Sequence, residues 1–205
     1  MEVQICASTF FLMPRVKSFD EEDVLTKAMQ LFWKQGYAAT SIQDLVSHLG
    51  INRASLYDTF GDKEQLFKKS FALYRKQSIE GISQLLNSHS NVRDGFYTLF
   101  NKAIDEALLD PDRKGCFAVN NTTELVPNDE SCLEILSTNR SAFEQLFYEY
   151  LKKGQENGQL KKGNNLKSLA SLLFTLYNGM LVVSKINRNK KELMETVKLT
   201  LRLMD

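Results

Sequence analysis

The residues whose types and spacing suit chemistry fall close together in this chain: Arg53, Ser55, Tyr57 and Thr59, then Lys63. Their chemistry is recognition by hydrogen bonding and charge. A guanidinium at Arg53 can donate two parallel hydrogen bonds to a guanine edge, the hydroxyls of Ser55 and Thr59 can bond bases or phosphates, and a phenol such as Tyr57 suits a phosphate oxygen. Lys63 falls at a helix start, where free backbone N–H groups also favour phosphate.

Two short helices joined by a tight turn must position this set. Thr40 is expected to cap the first, with Gln43 completing a capping box and Ile42, Leu45, Val46 and Leu49 forming one apolar face. Gly50 suits a left-handed helix end, Ile51 plugs the turn, and Asn52 caps a second helix of about two turns. Leu56 and Phe60, four residues apart, turn inward. Arg53, Ala54, Ser55, Tyr57 and Thr59 are left facing outward, on a helix too short to be stable alone. Such a helix presents a surface to a partner, and in a helix-turn-helix that partner is the major groove.

Over Phe19 to about Phe71 the chain resembles the TetR family of bacterial transcription regulators, through DVLTKAMQLFWKQGY, TSIQDLVSHLGI and RASLYDTFGDKEQLF. LYDTFGDKEQLF is the most specific of these runs. The resemblance implies an all-α protein, with an N-terminal helix-turn-helix domain over 14–66 and a helical effector-binding and dimerisation domain over 67–205. It implies a homodimer that binds a double-stranded DNA operator under control of a small-molecule effector. Position by position, it implies DNA contacts at Thr40, Ser41, Gln43, Arg53, Ala54, Ser55, Tyr57, Thr59 and Lys63. Asp58 argues against contact at its own position, because a carboxylate repels phosphate. The alternative from another class is a helical ligand-binding or protein-interaction module that has lost specific DNA binding.

Bulk properties agree with a folded, locally charged protein. The 205 residues are 43% hydrophobic and 10% aromatic, enough for a substantial core. A net charge of +1 is too small for a nonspecific polyanion binder, so any nucleic-acid footprint must be local. Between Arg53 and Lys76 six basic residues face three acidic ones, a modest excess.

Three sparse cysteines, Cys6, Cys116 and Cys132, fit a reducing cytoplasm without a disulfide framework. With no CxxC pair and only His48 and His89, a metal site is not expected, nor is a cofactor. Catalytic signatures such as GxSxG, GxGxxG, a P-loop or HExxH are absent, leaving Cys116 with His89 as base as the one conceivable enzyme pairing. The first twelve residues do not read as a signal peptide, and Met13-Pro14-Arg15-Val16-Lys17 reads as the natural start, with a short basic arm. No stretch reaches the roughly 20 apolar residues expected of a membrane span.

The remaining elements read as helices. An acidic start at Asp20 to Asp23 opens one from Phe19 to Tyr37, with Trp33 and Tyr37 assigned to structure. Asp62 opens a long helix to about Asn87 that belongs to both domains, a mechanical link between them. Further helices are expected over Val92 to Leu109, Cys116 to Val126, and Asp129 to about Asn157 with a weak point at Ser137 to Ser141. The last two, Leu166 to Ile186 and about Lys190 to Met204, are apolar over much of their circumference. They are read either as an internal core or, as the resemblance implies, as a four-helix dimer interface.

An effector pocket is expected from inward aromatics and nearby polar groups: Phe96, Phe100, Phe117, Phe143, Phe147, Phe174 and Tyr177, with Asn120, Asn121, Thr123 and Glu124. The segment GCFAVNNTTEL resembles one found in a subset of TetR-like regulators, some of which use a cysteine there as a sensor of electrophiles or oxidants. Cys116, at a helix start beside Arg113 and Lys114, is the redox candidate; the other reading is a buried, inert thiol.

Overall fold

Side-chain caps set most of the helix starts in the computed structural model, which describes residues 19–126 and 129–204, and of Ser131 only the backbone. The basic arm, the expected start at Met13 and Cys6 lie outside the described residues. Helix α1 (Glu21–Gln35) begins where the Asp20 carboxylate accepts from the Glu22 and Asp23 amides. Helix α2 (Ile42–Leu49) begins one residue later than expected. Ser41 is its cap, and Asp44 rather than Gln43 closes the box. The reason is burial: Thr40 is 0% exposed and its hydroxyl donates to Gly36 O at 2.6 Å, pinning the α1–α2 turn from inside.

Gly50 takes the left-handed conformation (φ 68°), and the Asn52 side chain accepts from Ser55 N to start α3 (Arg53–Phe60). Asp62 starts α4 (Lys63–Asn87) in the same way. There follow α5 (Val92–Leu109), α6 (Phe117–Leu125), α7 (Glu130–Glu156), α8 (Leu166–Val183) and α9 (Lys190–Leu201), closed by a 3-10 turn, Arg202–Met204. The fold is all-α, with no strand among the described residues. Helix α7 runs unbroken through the expected weak point: Thr138 bonds back to Glu134 O, and Arg140 pairs with Glu144 at 3.0 Å.

Two apolar clusters hold the helices. In the first, Val24, Ala28 and Phe32 of α1 meet Leu45, Leu49, Leu56 and Phe60 of the two short helices and Leu66, Phe67 and Phe71 of α4. It does not stop at the helix-turn-helix, because Phe117 and Leu125 of α6 and Cys132 and Leu136 of α7 belong to it too. The second joins the end of α4 to α5, α7, α8 and α9 around Phe96, Phe100, Phe147, Leu173 and Val197. There α5 approaches α7 so closely that a Cβ at Gly95 would collide with the Tyr150 hydroxyl.

Helix α8 leaves much apolar surface uncovered. Only 28% of it is buried, with Leu172, Val182 and Val183 exposed, and beyond it Ile186, Leu199 of α9 and Leu203 of the 3-10 turn are exposed too. The expectation that no stretch approaches a membrane span needs correcting on composition: α8 has 18 residues at mean hydropathy 1.5, with Lys167 its one charged residue. A two-sided apolar helix also serves as a subunit interface.

Candidate functional site

Helix α3 has only eight residues, and Leu56 (0% exposed) and Phe60 (2% exposed) fasten its inner side. Its outer side is fully available: Arg53, Ala54, Tyr57 and Asp58 are exposed, and Ser55 and Thr59 are half-buried at its edges. Arg53 and Tyr57, one turn apart, form a unit in which the guanidinium carbon lies 5.6 Å from the ring centre and a guanidinium N–H donates to the phenol oxygen at 3.4 Å. Both are thus presented on one edge. Ser41 and Gln43 of the preceding helix are exposed as well. The Ser41 hydroxyl is already engaged with Asp44, donating at 2.6 Å.

Lys63 stands at the first turn of α4 with its ammonium 4.4 Å from the Tyr37 ring centre. Partial burial holds its pKa below the ordinary lysine value, and the charge of Glu124 opposes that shift. Thr40 differs from the others. Fully buried, with its hydroxyl and amide bonded to Gly36 O and Tyr37 O, it has no donor left for phosphate. The contact implied for its side chain is therefore corrected.

A second feature is a cavity of about 600 Å³ walled by α4, α5, α7 and α8, the α5–α6 connection, and Trp33 from α1. Of the expected lining residues, Phe143, Phe174 and Tyr177 are there, and so is Cys116, the redox candidate. The others are not, each for a visible reason. Phe96, Phe100 and Phe147 fill the second core, Phe96 packing edge-on to Phe147 at 5.1 Å. Phe117 is clamped among Trp33, Phe67, Phe71 and Tyr74.

The polar groups of α6 serve the scaffold. Asn120 donates to Lys114 O and accepts from Lys185 Nζ, and Asn121 donates to Phe117 O. The Glu124 carboxylate accepts from the Tyr37 and Ala38 amides at 3.2 and 2.6 Å, tying α6 to the end of α1.

Sequence reasoning missed Trp33, Tyr74 and Asn139 in the cavity wall. Only Asn139 left a signal: it interrupts the inward stripe of α7, three residues after Leu136 and four before Phe143. The Trp33 indole N–H donates to Gly115 O at 3.0 Å, and the Tyr74 hydroxyl lies 3.4 Å from Cys116 Sγ. Burial, then the neighbouring Cys116, pushes the Tyr74 phenol well above its usual pKa, and the same causes raise Tyr177. Both phenols keep their protons at neutral pH.

Cys116 is 7% exposed, and the basic side chains beside it turn elsewhere. Lys114 lies over the Trp33 ring at 5.5 Å, and Arg113 donates to Lys185 O. The pairing of Cys116 with His89 finds no support. His89 is held against Leu85 O past the end of α4, fifteen residues beyond Tyr74, or roughly 22 Å at 1.5 Å per residue.

Fold and surface together define a helix-turn-helix DNA-binding protein. Residues 24–69 match the family described as "Bacterial regulatory proteins, tetR family", and residues 96–199 match "Tetracyclin repressor-like, C-terminal domain". The chain is 31% identical to the uncharacterized HTH-type transcriptional regulator YezE of Bacillus subtilis, over 94% of this chain and all of that one. It is also 31% identical to the HTH-type transcriptional repressor ComR of Escherichia coli, over 92% of this chain and 90% of that one. Among solved structures, a cysteine mutant of the TetR-family regulator CifR, complexed with 26-bp double-strand operator DNA, matches with TM-score 0.82 and 27% identity, covering 94% of this chain and 100% of that one. The chain belongs to the TetR family and is a DNA-binding transcriptional regulator.

Thr40→Val tests the reassignment of that residue. Leaving Gly36 O without its donor should cost about 1–3 kcal/mol in chemical denaturation. The ratio of specific to random DNA affinity should not change, and selective loss of specific binding would restore Thr40 as a contact.

Proposed function

We propose that the protein is a homodimeric, effector-released repressor. Two subunits, joined through α8 and α9, lay α3 into successive major grooves of a palindromic operator, about one helical turn apart, roughly 34–36 Å. Arg53 reads a base edge. Ser55 and Thr59 bond bases or phosphates, Tyr57 and Lys63 hold phosphates, and Ser41, Gln43 and Ala54 line the contact. The uncovered apolar face of α8 and α9 supports the dimer, since a twin would bury Leu172, Val183, Ile186 and Leu203. The reduced cysteines and the DNA target fit a cytoplasmic protein.

The observation that carries the regulatory reading is shared wall. Trp33 and Tyr74 line the cavity, and the same α1 and α4 supply the core on which α2 and α3 rest. A small molecule filling the cavity, or modification of Cys116 beside Tyr74, acts directly on the helices that aim α3. A shift of α4 changes the separation of the two recognition helices and so the affinity for the operator.

Two sets of variants test this. Arg53→Ala should cost roughly 1–3 kcal/mol on the preferred site and relax base preference there, whereas Lys63→Ala should weaken binding to all sequences and flatten its salt dependence. Equal loss on specific and random DNA from Arg53→Ala contradicts its role as a base reader. Ile186→Lys should shift the protein from dimer to monomer in sedimentation and lower operator affinity; an unchanged dimer places the interface elsewhere.

A further inference from the structure

Besides the aromatic contacts of Phe117, the second domain holds the DNA-reading unit just past the end of α1. Trp33 and Lys34, which donate to Gly115 O and pair with Asp112 at 3.1 Å, still lie inside α1. Glu124, near the end of α6, reaches beyond it: Oε2 accepts from the Tyr37 amide at 3.2 Å and Oε1 from the Ala38 amide at 2.6 Å. Two successive amides aimed at one carboxylate form a small anion seat, and hydrogen bonds to an ionised acceptor are roughly twice as strong as neutral ones. Gly36 shapes this seat. Its φ of 85° is one that other residues rarely adopt, and a Cβ there would stand 2.9 Å from Glu124 Oε2. Phe117 and Leu125, both buried, hold α6 in the core at either end, so the carboxylate is delivered from a fixed element.

The same short turn touches the DNA-reading unit on both sides of α3. On one side the Thr40 hydroxyl and amide donate to Gly36 O and Tyr37 O, and Ser41 then caps α2. On the other, the Tyr37 ring lies 4.4 Å from the Lys63 ammonium, at the start of the helix that follows α3. Thr40 pins the turn from within; Glu124 pins it from the second domain. We infer that Glu124 is a positioning residue for operator binding: its carboxylate fixes the turn that carries α2 and the contact between Tyr37 and Lys63, and thereby the aim of α3. That role rests on the reading of α3 as the DNA-contacting helix and needs no effector.

Glu124→Ala and Glu124→Gln test it beside the wild-type chain. Amide hydrogen exchange followed by NMR reads the seat itself: in Glu124→Ala the Tyr37 and Ala38 amides should exchange about tenfold faster or more, while the core amides of α4 keep their protection. DNA affinity is read on two duplexes, one recovered from a random library by selection with the wild-type protein and one of the same length and composition with its sequence shuffled. The ratio of the two affinities should fall about tenfold in Glu124→Ala, and about threefold in Glu124→Gln, whose amide oxygen still accepts one of the two hydrogen bonds. A merely structural residue would lower the folded fraction and both affinities alike, and a carboxylate acting only through its charge would shift both alike, so neither moves the ratio. Circular dichroism establishes that each variant retains its helices; should Glu124→Ala lose them, the threefold fall in Glu124→Gln carries the test.

An unchanged ratio in the folded variants, or exchange at Tyr37 and Ala38 as slow as in the wild type, overturns the assignment of Glu124, while the wild-type preference for the selected duplex leaves α3 standing as the reading helix. A wild type that shows no such preference overturns the reading of α3, and the role of Glu124 with it.

Discussion

The structure depends on an aromatic seam in which Phe117 of α6 is gripped by Trp33 of α1 and by Phe67, Phe71 and Tyr74 of α4, with ring centres 5.4–6.0 Å apart. Each such pair contributes about 0.5–1.5 kcal/mol beyond the apolar area it buries. The seam is where the DNA-reading helices and the helical second domain become one core. Without it, α2 and α3 would rest on α1 and the start of α4 alone. With it, their support extends to α6 and α7.

That arrangement gives α6 an unusual share in the presentation of α3. At its N-terminal end Cys116 faces Tyr74, and the preceding Gly115 carbonyl accepts from Trp33. Near its C-terminal end Glu124 binds the backbone amides that follow α1 and acts on the charge of Lys63, the residue proposed to hold a phosphate. The cavity opens along the same seam. Its contents and the aim of the recognition helix are therefore linked through packed side chains, where a small displacement has no slack to be absorbed in.

Much of the DNA-reading unit was legible in the sequence because its determinants are local. Gly50, Asn52 and Asp62 act within a few residues of themselves, and each does in the structure what its type and spacing imply. Thr40 and Ser41 show the limit. Both are cap-forming residues, and the choice between them was made by burial of Thr40 against Gly36, which spacing does not reveal. The cavity was far less legible. An inward aromatic can fill a core or line a hole, and the difference between Phe147 and Phe143 lies in which helices converge on each. Trp33 is 106 residues from Asn139 in the chain, and only the folded packing brings them to one wall. The polar groups of α6 misled for a related reason: side chains that tie elements together look, in sequence, like side chains awaiting a ligand.

The central claim is that α3 reads a particular sequence as one half of a symmetric pair. Selection of bound fragments from a random double-stranded DNA library, repeated at low and near-physiological salt, tests it most directly. The account predicts an enriched palindrome whose half-site centres lie about one helical turn apart, persisting at the higher salt. Binding that is independent of sequence and disappears as salt rises would contradict it, leaving the helix-turn-helix as a scaffold and the second domain as the seat of function.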